Sequence, residues 1–115
     1  MRKSKINISG FKIGTAENRE GLTGVTVILA PDGGATAGVD VRGCAPGTRE
    51  TDLLDPRKTV QKIHAVVLSG GSAFGLEAAS GCVKYLAEQG VGFPIGNVCV
   101  PIAVSYTHLT LPTKR

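Results

Sequence analysis

At 115 residues the chain has room for one domain and not two. Its formal net charge of +4 sits at the two ends: without Arg2, Lys3, Lys5, Lys114 and Arg115, 8 basic side chains face 9 acidic ones. With no folded basic patch and an aromatic content of only 4%, the composition argues against a nucleic-acid partner.

Lys5–Ile8 and Phe11–Ile13 read as short strands around Gly10, and the polar stretch from Glu17 to Thr23 as a loop. Val25 to Ala30 is rich in β-branched residues and predicts a strand. Pro31-Asp32-Gly33-Gly34 is a turn signal. Ala35 to Arg42 alternates Ala35, Ala37, Val39 and Val41 on one face, which predicts a second strand and a β-hairpin with Val25–Ala30. Gly43 to Asp55 is a long loop, where Arg49, Glu50 and Asp52, with Arg42 just before it, could form a polar cluster of the surface kind that contributes little to stability.

Ile63 to Leu68 is a continuous apolar run, the pattern of a buried strand. Ser69-Gly70-Gly71-Ser72 ends it, and Ala73 to Gln89 carries apolar residues at helical spacing up to the stop at Gly90. Gly75 and Gly81 lower helix propensity, so both are expected to pack closely against a neighbour. Val91–Pro94 and Val98–Ile102 read as short extended segments. The ending from Ala103 to Arg115 differs in character and is expected to be an edge strand or a loose tail. Strands followed by a strand–turn–helix–strand unit predict an α/β (α+β) fold with a mixed sheet.

The junction Leu68 to Gly75 is the one local pattern with chemical content. A helix start offers unpaired N–H groups, and glycines let a ligand approach the backbone. Such a turn suits an anion, a carboxylate or a developing oxyanion. Sharper motifs fail on single positions. A dinucleotide fingerprint has Ser72 in place of glycine, and a nucleophile elbow has Phe74 in place of glycine. The plain alternative is a tight turn in which Ser72 caps the helix. His64, inside an apolar run, reads as a core histidine, and His108 carries less weight.

Cys44, Cys82 and Cys99 are odd in number and widely spaced, which points to reduced thiols in the cytoplasm and not to a zinc site. The start shows no apolar core of a signal peptide, and no apolar run reaches the roughly 20 residues that span a bilayer. No membrane partner is expected.

Three blocks in order carry a family resemblance: Gly38 to Leu54, His64 to Leu76, and Gly92 to Gly96. Together they resemble the DmpA-type L-aminopeptidase/D-esterase family over about residues 5–102. The resemblance implies an αββα sandwich of the N-terminal-nucleophile-like kind, of which this chain holds the first part. It implies a precursor that cleaves itself before a serine, which becomes nucleophile and new N-terminus. The processed two-chain units are expected to form a homo-oligomer. Substrates are small peptides, amides or esters with a free amine, and no metal or organic cofactor is implied. Nothing in this chain matches the nucleophile, so no catalytic residue is assigned. Ser69, Gly70, Gly71 and Ser72 are the candidate substrate-binding residues. The pattern stops near Ile102, and residues 103–115 are read as unrelated sequence. Two other classes remain open: an acyltransferase of the ornithine acetyltransferase type, and a non-catalytic anion-binding module.

Overall fold

A computed structural model describes residues 8–44 and 46–107. The expected strand at Lys5–Ile8 lies mostly outside them, as do residues 108–115 of the ending. The chain opens with β1 (Lys12–Asn18) and β2 (Thr23–Leu29), paired antiparallel from Lys12↔Leu29 to Asn18↔Thr23. Asn18 closes the intervening turn by accepting the Gly21 amide on its Oδ1 at 2.9 Å. This pairing replaces the expected hairpin between 25–30 and 35–42. Ala35 makes only an isolated bridge to Ile63, and 36–44 carries no strand. Gly33 and Gly34 both take positive φ, 91° and 87°, and turn the chain away from β2. Val39 and Val41 stay about half exposed, so their alternation buries no face.

The expected loop from Gly43 to Asp55 contains two short elements, β3 (Thr48–Arg49) and a 3-10 turn over Thr51–Leu54. Then β4 (Ala65–Ser69) enters the sheet antiparallel to β2. A 3-10 turn over Ser72–Leu76 leads into α1 (Glu77–Glu88), so the expected helix divides into two geometries. Gly90, at φ 71°, ends α1 as expected. Its amide donates to Ala87 O at 3.1 Å, and the Val91 amide to Leu86 O at 3.0 Å. This is the Schellman arrangement, and Val91 and Leu86 supply its apolar contact. Next comes the hairpin β5 (Phe93–Ile95) and β6 (Val98–Val100), followed by β7 (Ala103–Thr107).

The main sheet has the order β1-β2-β4-β7-β3, with β4 and β7 parallel and the other pairs antiparallel. The parallel pair needs a long crossover, which α1 and the β5–β6 hairpin provide. β7 is neither an edge strand nor a tail: it sits between β4 and β3. Its Ala103, Ser105 and Thr107 are buried, and such small side chains leave room for the covering segments.

One face of the sheet carries the core. Ala65, Val67 and Ala103 pack against Ala79, Cys82 and Leu86 of α1, with Val25, Val27 and Leu29 at the margin. The alternate residues point to the other face, where the 38–42 segment and the Thr51–Leu54 turn lie over Val66 and Val104, and Val104 is only 6% exposed. There Leu68 is 43% and Tyr106 47% exposed. The apolar run at 63–68 is therefore buried on one side and partly covered on the other, with Leu68 exposed, and the fold is a mixed α+β arrangement.

Candidate functional site

The four residues singled out from the sequence form one continuous turn at the C-terminal end of β4. Ser69 is buried and pairs across the parallel ladder with Thr107. The Gly70 amide donates to Gly24 O at 2.9 Å, which ties the turn to β2. A side chain at Gly70 would meet Thr23 Oγ1 at 2.6 Å, so Thr23 would have to turn aside to admit one. Gly71 has φ 94° and Ser72 has φ 58°. The expectation that Ser72 caps the helix is not met. Gly71 occupies the cap position, and no side chain bonds the first turn there. Ser72 has entered the left-handed region, from which its hydroxyl makes no cap bond.

Ser69 and Gly70 line a groove of about 340 Å³ with Thr23, Gly24, Phe74 and Gly75. Gly71 and Ser72 stand outside this lining. The Phe74 ring is 91% exposed at its rim. Beneath the turn, the hydroxyls of Ser69 and Ser105 are buried without a hydrogen-bond partner. An unpaired buried hydroxyl costs roughly 1–3 kcal/mol relative to a paired one. Gly75 packs directly on the turn: a Cβ there would collide with the Gly70 carbonyl. This meets the close packing expected of Gly75. Gly81 does not show it, since a Cβ there meets nothing within 4 Å.

The expected polar cluster of Arg42, Arg49, Glu50 and Asp52 does not assemble. Arg42 pairs with Asp40 at 2.7 Å on the surface. Arg49 instead donates to Ser80 Oγ at 2.6 Å and reaches Leu76 O at 3.5 Å, joining β3 to α1. Arg57 pairs with Asp55 at 2.7 Å, which holds that carboxyl below its ordinary range.

His64 is a core residue, as its apolar neighbours imply. It is 4% exposed, and burial pushes its imidazole pKa down. Its Nδ1 accepts the Ile102 amide at 3.0 Å, which requires the neutral ring. It stands at the start of β4, at the opposite end of the strand from Ser69.

A second cavity, of about 560 Å³, forms between residues far apart in sequence. It lies on the sheet face opposite α1, between the 38–42 segment and Val66, Val104 and Tyr106. Val39 and Val41 line it. Their alternation is the sequence signal for it, and the same alternation is what predicts a strand. Among the described residues no group of three or more His, Cys, Asp or Glu side chains is placed to hold a metal ion. No helix among them is long and apolar enough to cross a membrane.

The mixed fold and the glycine-rich strand–helix turn accompany sequence blocks that place the chain among the peptidases. The model of peptidase family S58 matches residues 5–107, and the chain belongs to that family. The matched stretch runs past the break expected at Ile102 and takes in the whole of β7.

Individual relatives agree with the family. The chain is 49% identical over 89 residues to an uncharacterized aminopeptidase of Mycobacterium tuberculosis, covering 77% of this chain and 26% of the relative. It is 53% identical over 79 residues to one from Mycobacterium leprae, covering 69% and 22%. It is 39% identical over 85 residues to a 6-aminohexanoate-oligomer endohydrolase of Paenarthrobacter ureafaciens, covering 74% and 21%. The chain thus spans about a quarter of the length of the curated relatives it matches.

Proposed function

We propose that this chain is the leading part of a self-processing serine hydrolase that removes N-terminal residues from small peptides, amides or esters. The family match over residues 5–107 carries this reading, and the relatives named as aminopeptidases support it. The oligomer endohydrolase shares hydrolysis with them by name. In this reading the nucleophile is a serine freed by cleavage further along the precursor, whose own α-amine takes the proton from its hydroxyl. The chain contributes scaffold and one wall of the substrate site. The wall is the turn Ser69–Ser72; the Gly70 amide is committed to Gly24 O, so the Gly71 and Ser72 amides are the ones that would approach a substrate oxygen.

Two observations fit this division of labour. Ser69 is buried beneath the turn and so is poorly placed to attack a carbonyl. The exposed part of the sheet face opposite α1, with Leu68 and Tyr106 half exposed, is where a second sheet would complete an αββα sandwich. Covering it removes apolar surface from water at about 25 cal/mol per Å². We place the processed enzyme in the cytoplasm, in keeping with the free thiols of Cys44, Cys82 and Cys99. We take it to be a homo-oligomer of two-chain units with no metal or organic cofactor.

The test is to express the complete reading frame and examine the product by mass spectrometry and N-terminal sequencing. Two chains, the second starting with serine, and turnover of an aminoacyl amide are expected. Turnover by a product that stays uncleaved would sink the self-processing mechanism. The 115-residue chain alone should show no turnover. Activity in it that disappears with Ser69→Ala or Ser72→Ala would place the nucleophile in the turn instead.

A further inference from the structure

Three features meet at the junction between β4 and α1. Ser72 holds φ 58°, a left-handed conformation that side chains other than Gly, Asn and Asp avoid. Residues Ser72–Leu76 form a 3-10 run of five residues leading into α1, longer than such runs usually extend. The Ser69 and Ser105 hydroxyls beneath the turn are buried and unpaired. Each is a local energy cost, and such costs cluster at active sites, ligand clamps and switch regions.

We propose that the turn 70–76 is a two-state hinge. In the state described here the turn is 3-10, Ser72 is left-handed and Gly75 packs on the Gly70 carbonyl. In the other state residues 72–76 join α1 as a further α-helical turn, Ser72 leaves the left-handed region and the Ser69 hydroxyl gains a backbone partner. Gly75 decides between them. A Cβ at position 75 would collide with the Gly70 carbonyl and lie 3.3 Å from Ser69 Oγ, so the described state requires glycine there. Phe74, 91% exposed, moves with the turn without breaking a buried contact. The role of the hinge in admitting substrate rests on the proposed assignment of Ser69–Ser72 to the substrate site. The hinge itself does not.

Hydrogen exchange followed by mass spectrometry on the full-length protein that carries this chain tests it. The peptide covering 70–76 should exchange at least about tenfold faster than those covering β4 and the body of α1, because it opens locally. Ser72→Gly relaxes the left-handed residue and should slow that exchange about fivefold, whereas Ser72→Ala should not. Gly75→Ala excludes the described state and should also slow it, by holding 72–76 in the helical state; faster exchange would mean a strained turn with no second state and would overturn the hinge. Protection equal to that of α1, or indifference to both Ser72→Gly and Gly75→Ala, overturns the hinge. If those responses hold and an aminoacyl amide leaves the exchange of 70–76 unchanged, the hinge stands and the substrate-site assignment falls.

Discussion

His64 and Ile102 are bonded twice: the Ile102 amide donates to His64 Nδ1 at 3.0 Å, and the His64 amide donates to Ile102 O at 2.8 Å. The pair aligns the starts of β4 and β7, residues 65 and 103, in parallel register. A protonated imidazole has no lone pair for the Ile102 amide, so the clasp depends on the neutral ring.

The pH dependence follows from that clasp. Burial lowers the folded pKa of His64, so the unfolded chain binds its proton more readily. The stabilisation is complete above the unfolded value of about 6.5 and is lost as pH falls from there through the folded pKa. The melting temperature should drop between about pH 7 and pH 5. His64→Asn, which keeps an acceptor near the Nδ1 position, should flatten that profile. A wild-type profile already flat over the range would contradict the assignment.

Gly81 and Gly75 should respond oppositely to alanine. Gly81→Ala fills open space on α1 and should stabilise by about 1 kcal/mol through helix propensity. Gly75→Ala drives a methyl group into the Gly70 carbonyl and should destabilise by about 1–3 kcal/mol. Urea denaturation of the two variants reads both signs.

Leu22, at the turn between β1 and β2, has φ 52° and is 90% exposed. Leu22→Gly removes a left-handed leucine that buries almost nothing. A gain of about 1 kcal/mol in unfolding free energy is expected, visible as a higher urea midpoint with an unchanged slope.

The Arg49–Ser80 contact joins the far edge of the sheet to α1. Because Arg49 is exposed, its loss should be modest, about 1 kcal/mol. A double-mutant cycle with Arg49→Ala and Ser80→Ala should return a coupling energy of about 0.5–1 kcal/mol. Zero coupling would show that the bond adds nothing to stability.

Much of the local structure was legible in the residues themselves. β-branched density marked β2, the apolar run marked β4, and Gly90 marked the end of α1. The candidate turn was legible too, because Ser69 to Ser72 combine a strand end, two glycines and a helix start. Each of these signals is local, and local sterics and side-chain entropy act without a partner. The alternation at 35–41 misled for the same reason. A period of two describes what a strand would bury, but Gly33 and Gly34 gave that strand no neighbour.

What the chain wrote unaided, then, was its helix, its strongest strands, the glycine turn and the blocks that mark its family. Strand order was decided only in three dimensions. β7 looked like the start of a tail because its neighbours β4 and β3 lie far from it in sequence, and its small residues become meaningful only beneath the elements that cover them. The same holds for the helical glycines. Position 75 must be glycine because the Gly70 carbonyl already occupies the adjacent space, while position 81 faces nothing, and propensity alone cannot tell such sites apart.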